Sequence, residues 1–376
     1  MADPIAQLLD GAWIDPDNGR ATGVGIAAIV IEPHLRGREA ECVAALGFAG
    51  RIAVVSDATT HEVLGARIER ALASLARIDS VVLPKHLHAD IDAVERVRAA
   101  TANADALIAV GSGTVNDLTK FAAAQDGKPF AVFATAPSMN GYTSANAAIT
   151  VHGHKKTLPA TLACGVFIDL EILAAAPARL IRAGLGDSLC RPTAQIDWLL
   201  SHHLLGTPYR AAPFALLADD EKRLMDAPEA LLAGDIEAMR SLARTLVLSG
   251  IGMTLCGGSH PASQGEHLIS HYLDMRSPPG RAEYLHGEQV AVATLTMARI
   301  QETMLAGPAP ALAVRIPSSQ LATVMRRAGG PTAPADIGAD PAFYNGAVRH
   351  ARYLRDRFTF LDLAGDAGLL DGQLFS

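Results

Sequence analysis

The sequence predicts an α/β N-terminal dinucleotide-binding domain built on a parallel sheet, followed by an all-α C-terminal domain. Three observations carry that reading. Short apolar runs alternate with amphipathic helical stretches up to about residue 170, a glycine-containing strand-turn-helix lies at 106–120, and from 173 onward Ala/Leu-rich helical stretches dominate. Runs too apolar for a one-sided sheet belong to parallel strands covered on both faces.

In chain order, GVGIAAIVIEP reads as a strand and REAECVAALGF as a helix stopped near Gly47. RIAVVSD is a second strand, followed by a helix through HEVLGARIERALASLA. The strand SVVLP, a helix over IDAVERVRAATA, the strand DALIAVG, a helix over VNDLTKFAAAQ and the strand PFAVFATA continue the alternation. AAITV and GVFIDL add further β-like runs. The second half is led by PEALLAGDIEAMRSLARTLVLSGIGM and GEQVAVATLTMARIQETMLA, with Pro-rich breaks at SPPG, AGPAPA and GGPTAPAD, and 306–336 reads as loops between helices. The boundary is set near 172, giving a dinucleotide-binding domain over 1–172 and a helical domain over 173–376.

At 376 residues and 49% hydrophobic, the chain can bury a large core and suits two domains better than one. A net charge of -7 and a pI near 6.0 argue against nucleic acid or an anionic membrane as partner, which leaves small molecules. Cys42, Cys164, Cys190 and Cys256 lack CxxC spacing and read as reduced core thiols. With neither a signal-peptide pattern nor an apolar run long enough to span a bilayer, a cytoplasmic location is the default expectation.

In ALIAVGSGTVNDLTK, Gly111 and Gly113 let the backbone approach a pyrophosphate at a helix N-terminus. Asn116 stands where a G-x-G-x-x-G fingerprint would have its third glycine, and a simple tight turn is the competing reading. Asp57, ending RIAVVSD, is placed either for ribose hydroxyls or as an N-cap. TAPSMNGYTSAN packs hydroxyl and amide groups at the carboxyl end of the sheet, where open α/β sheets bind ligands.

SQGEHLISHYLDM puts His267 and His271 on one helix face, and Glu266 precedes the pair, unlike the H-E-x-x-H order of a metalloprotease. Glu266 itself reads as a helix-surface carboxylate sooner than a partner of the histidines. AGLGDSLCRPTAQIDW offers Asp187 after a Gly-x-Gly that reads as a helix start, and EYLHGEQVAVATL offers His286 at another. One Asp and two His with an open position make a catalytic zinc-type set that nickel or iron would also accept. Spacing alone leaves that set open, since Asp187 and His267 lie 80 residues apart in a chain with 13 histidines.

These segments, with IDWLLSH and RYLRDRFTFLDLAGDAGLL, resemble the sn-glycerol-1-phosphate dehydrogenases, a branch of the iron-containing alcohol dehydrogenase, glycerol dehydrogenase and dehydroquinate synthase-like superfamily. The resemblance covers most of the chain. It implies Asp187, His267 and His286 as metal ligands, and Asn140, Asp187 and His271 against the substrate, with His271 catalytic. It also implies NAD or NADP held by Asp57, by Gly111, Ser112, Gly113, Thr114 and Val115, by Thr135, Ala136, Pro137 and Ser138, and by Ser144. The implied reaction is reduction of dihydroxyacetone phosphate to sn-glycerol 1-phosphate, with zinc, nickel or iron as the metal and a homo-oligomer as the assembly. Rival readings are another polyol dehydrogenase, a dehydroquinate synthase-like lyase and a non-catalytic relative. Three departures bear on the substrate: Asn140 replaces Asp in an S-M-D-G motif, Cys190-Arg191 replaces Gly-Lys, and GSHPASQGEH replaces S-R-P-A-S-G-S-E-H. For the phosphate, Lys155, Lys156, Arg191, Arg355 and Arg357 are unranked candidates. The last two could instead pair with Asp356 or Asp362, and Lys120 reads either as a cofactor contact or as a solvated helix face.

Overall fold

The computed structural model describes residues 3–277, 284–306 and 312–371. β1 (Trp13–Ile14) and β2 (Ala21–Thr22) form a short antiparallel ribbon. β3 (Ala28–Glu32), β4 (Arg51–Asp57), β5 (Arg77–Leu83), β6 (Ala106–Gly111) and β7 (Phe130–Ala134) enter the main sheet in turn. β8 (Asn146–Val151) and β9 (His154–Pro159) make an antiparallel hairpin, and β10 (Gly165–Asp169) completes a six-stranded parallel sheet of order β3-β10-β7-β6-β4-β5.

The apolar runs follow from burial on both faces. Ile52 and Val54 of β4 pack with Leu64, Ile68 and Val110, while Ala53 and Val55 pack on the opposite face with Leu107, Leu118 and Ala122. Each large aliphatic side chain so enclosed contributes about 1.5–3 kcal/mol. The edge strands β3 and β5 are only partly covered.

The strand order places a crevice where ligands bind. From β4 the chain crosses outward to β5, whereas from β6 it crosses the other way to β7, so the connections diverge between the carboxyl ends of β4 and β6. Asp57 and Gly111 are the last residues of those two strands.

β9, like the short β1 and β2, is a strand that sequence patterning missed. HKKTLP has too few apolar residues to signal a sheet, and it forms because Val151 and His154 flank a two-residue turn in which His152 (φ 52°) and Gly153 (φ 76°) are both left-handed. β5 also begins earlier than SVVLP, at Arg77, since it pairs with β4 along its whole length.

After β10 the described elements are helical. The longest are Arg191–Leu205, Ile236–Leu255, Gly265–Arg276 and His286–Met304. A helix at Ser318–Arg327 interrupts the stretch expected to be loops, with Leu321, Val324 and Met325 on its buried face. Most of SPPG and AGPAPA lies outside the described residues. No described helix is long and apolar enough to cross a membrane.

Candidate active site

The glycine turn forms as its residue types require. Gly111 ends β6 beneath Val115, where a Cβ would come within 2.5 Å of that side chain. The helix Gly113–Asp126 then starts with Ser112 as its N-cap, which leaves the first-turn N–H groups of Gly113, Thr114 and Val115 at the crevice. Thr135, Ala136, Pro137 and Ser138 follow β7, tied back by the Thr135 N–H donating to the Gly111 carbonyl at 3.1 Å. Asp57 accepts from the Thr60 N–H at 2.8 Å as an N-cap and also lines the cavity, so its two sequence readings are compatible.

One cavity of about 980 Å³ joins this crevice to the histidines. It is lined by Asp57, Ser112, Gly113, Thr114, Val115, Thr135, Ala136, Ser138, Asn140 and Ser144 on one side and by His267, His271 and His286 on the other. Gly111 and Pro137, which flank lining residues in the chain, do not themselves line it. Lys120 is not solvated and does not reach the cavity. It is fully buried and donates to the carbonyls of Gly141, Ser144 and Asn146, clamping the loop that presents Ser144.

Asp187 occupies the last turn of the helix Ala178–Ser188, not the first. The preceding glycines serve close packing instead of a helix start. A Cβ on Gly184 would lie 1.6 Å from the Pro137 carbonyl oxygen, one on Gly186 would lie 2.3 Å from the Gly287 oxygen, and one on Gly287 would lie 1.8 Å from the Ala183 oxygen. Two backbones thus meet at Gly186 and Gly287, which sets Asp187 beside His286, the first residue of its own helix.

Asp187 Oδ1 lies 3.5 Å from His267 Nε2 and 3.9 Å from His286 Nε2. Hydrogen-bond inventory fixes the tautomers. His267 Nδ1 is 2.9 Å from Glu266, an acceptor only, so the proton sits on Nδ1 and Nε2 presents a lone pair. Ser270 Oγ spends its single proton on Gln289 Oε1 at 2.7 Å, so at 3.2 Å it accepts from His286 Nδ1–H, and Nε2 is again bare. Two lone pairs and a carboxylate oxygen therefore face one another, and Asp187 Oδ1 is buried without a hydrogen bond. These three donor atoms fall within 4.8 Å of one another. Electron-rich atoms so placed repel unless a metal ion or a proton on His267 Nε2 stands among them, and the spacing suits ligand bonds of about 2.0–2.2 Å to one ion. Asp187, His267 and His286 thus fit a divalent metal.

The electrostatics agree. Burial opposes the Asp187 carboxylate, but His267, His286 and the Asn140 N–H at 3.1 Å outweigh it and hold the group below its usual range. Burial, aided by Lys155 and His267, lowers His286 to about 4 and keeps it neutral. Burial also lowers His267, yet Asp187 and Glu266 overcome it, and its net shift is upward.

Several residues escaped the sequence reading. Glu266 is fully buried against His267 and is not on the helix surface. Behind His286 runs a chain of hydrogen bonds through Ser270 and Gln289 to Asp274 at 2.8 Å, and Asp274 pairs with Lys155 of β9 at 2.7 Å. The available signal was the spacing of Glu266, Ser270 and Asp274, a polar stripe at every fourth residue of a helix otherwise largely buried. His271, 8% exposed, lies 6.2 Å from His267 between ring centroids. Its Nε2 accepts from Arg355 at 2.9 Å, so its proton is on Nδ1, which has no hydrogen-bond partner among the described residues. Burial, followed by Arg355 and Lys155, pushes its pKa well down. Arg191 is not a phosphate ligand: it is buried, paired with Glu221, and lies 5.2 Å from the Phe214 ring centroid.

Comparison with known proteins places this geometry. The iron-containing alcohol dehydrogenase family model matches residues 30–177. The chain is 33% identical to a Bacillus licheniformis protein named glycerol-1-phosphate dehydrogenase, NAD(P)+, over 86% of this chain and 85% of that one. It is 33% identical to a Pyrococcus furiosus protein of the same name, with 85% and 88% covered. The structure superposes on glycerol dehydrogenase from Schizosaccharomyces pombe with a TM-score of 0.70 at 19% identity, covering 93% and 90% of the two chains, a likeness of fold. With its relatives aligned over nearly their whole length, the chain belongs to the glycerol-1-phosphate dehydrogenase family of iron-containing alcohol dehydrogenase-like proteins.

Proposed function

We propose that the chain is a metal-dependent dehydrogenase that reversibly reduces dihydroxyacetone phosphate to sn-glycerol 1-phosphate with NADH or NADPH. The observation that carries the reading is the single cavity in which a strand-turn-helix anion site opens onto Asp187, His267 and His286. The shared name of the relatives supplies the substrate. Asp57, the turn Gly111–Val115, the loop Thr135–Ser138 and Ser144 would hold a dinucleotide, which when bound would supply hydride chemistry. Asp187, His267 and His286 would hold zinc, nickel or iron, which would supply Lewis-acid chemistry there.

The chain's own groups do the rest. Glu266 and Ser270 hold both imidazoles in the tautomer with Nε2 free. His271, neutral at physiological pH, offers its Nδ1–H as a hydrogen-bond donor that would orient and polarise a substrate oxygen. Asn140 stands against the substrate with its side chain donating to Ser249 at 3.2 Å, so it can hydrogen-bond a hydroxyl but cannot take a proton as the family Asp could. The division near residue 172, a homo-oligomeric assembly and a cytoplasmic setting complete the proposal.

The test is an assay of dihydroxyacetone phosphate with NADH and NADPH, with and without Zn²⁺, Ni²⁺ and Fe²⁺. Oxidation of either cofactor is expected, with dihydroxyacetone a far poorer substrate. Phosphate release without net NADH consumption, or no oxidation with any metal, would overturn the reading.

A further inference from the structure

Two arginines of the C-terminal segment stand beside the cavity without an acid of their own. Arg355 donates from one nitrogen to His271 Nε2 at 2.9 Å and to Thr157 Oγ1 at 3.2 Å. Arg357 donates to the Ser263 carbonyl and to Ser259 Oγ at 3.4 Å. Thr157, Ser259, Ser263 and His271 all line the cavity. Both arginines are half-buried, and among the described residues neither forms an ion pair with a carboxylate. Asp362, one candidate partner, instead accepts from the Thr359 N–H at 2.8 Å as part of a helix cap. Asp356 makes no ion pair with either arginine. Lys155, the other cation here, is already neutralised by Asp274.

Guanidinium groups withdrawn from water and left without a carboxylate are costly. Burial, with the neighbouring Arg355 charge adding to it, brings Arg357 down to about 10 against the opposing pull of Glu266. Such an arrangement is relieved by a ligand that brings two negative charges and accepts several N–H bonds at once, as a phosphate monoester does.

We propose that Arg355 and Arg357 form the subsite for the phosphate group of the substrate, with Arg355 also positioning the His271 ring. This rests on the reading of a phosphorylated substrate and deepens it. Arg355 touches the imidazole set against the reacting oxygen, and in dihydroxyacetone phosphate the phosphate begins one carbon beyond the carbonyl. One side chain thus couples anion recognition to the orientation of His271, and a substrate lacking phosphate leaves both guanidiniums uncompensated.

The test compares wild type, Arg355→Gln, Arg355→Lys and Arg357→Gln, each checked for metal content and thermal melting. The readouts are the ratio of kcat/KM for dihydroxyacetone phosphate to that for dihydroxyacetone, and competitive inhibition by inorganic phosphate. Arg355→Gln should lower the ratio roughly a hundredfold and abolish phosphate inhibition, and Arg357→Gln should do so to a lesser extent. Arg355→Lys, which keeps charge without the planar fork, should fall between. A folded, metal-retaining Arg355→Gln with an unchanged ratio and unchanged phosphate inhibition would overturn the subsite. Should a variant not fold, phenylglyoxal modification of wild type decides: phosphate should protect Arg355 and Arg357, and equal labelling with and without phosphate overturns the proposal. If wild type binds phosphate through these arginines yet does not reduce dihydroxyacetone phosphate, the subsite stands and the substrate reading falls.

Discussion

At the scale of single residues, His267 and His271 share a helix face but meet different neighbours. His267 aims a bare Nε2 at an unsatisfied Asp187 oxygen, whereas the Nε2 of His271 is already taken by Arg355. His267→Ala should therefore abolish metal retention. His271→Ala should keep the metal and lose turnover, and metal counting after dialysis separates the two. Glu266→Gln keeps an acceptor for His267 Nδ1–H but removes the negative charge that makes the imidazole a better donor. A fall in metal affinity of about 10–100-fold is expected without loss of fold. Unchanged affinity in a chelator competition would make Glu266 a packing residue. The shared face of His267 and His271 was legible from their spacing, whereas the role of Glu266 was not, because its burial depends on elements far along the chain.

At the scale of elements, what sequence revealed and what it hid divide by the range of the interactions. β4, β6, β7 and β10 were readable since burial on both faces leaves a continuous apolar run. β9 was not, since its pairing is driven by a turn and by Lys155 reaching Asp274 on a helix more than a hundred residues away. The helix carrying Asp187 was misread at its end because Gly184 and Gly186 look like a helix start, whereas each is glycine for a contact with another part of the chain. Gly184→Ala tests that contact. The new methyl group cannot coexist with the Pro137 carbonyl, so either the loop after β7 or the helix must move, at about 1–3 kcal/mol or more. That loop is proposed to hold dinucleotide and that helix a metal ligand, so NADH affinity and metal retention should both weaken. Wild-type values for both would show that the close approach is not needed.

At the scale of the whole molecule, the proposed metal would join three helices: Ala178–Ser188, Gly265–Arg276 and His286–Met304. Binding to the folded state alone raises stability by mass action, so chelation should lower Tm. The pH dependence of that difference follows from the metal-free histidines. His286, held to about 4, binds a proton less readily folded than unfolded, so its contribution to stability is lost as pH falls from about 6.5 towards 4. His267, shifted upward, acts with the opposite sign: its contribution is complete below about 6.5 and is lost as pH rises through its folded pKa. A metal on His267 Nε2 must displace the proton that supplies this second contribution, so proton and metal compete for one lone pair. The metal-dependent gain in Tm should therefore be smallest in mild acid and grow through neutrality until His267 is deprotonated in the free protein. Melting curves with Zn²⁺ and with chelator at several pH values between 6 and 9 measure it directly. A gain independent of pH across that range would mean that His267 does not carry the ion, which would rule out both donor groups that contain it, Asp187 with His267 and His286 and Cys190 with Glu266 and His267, and send the metal elsewhere.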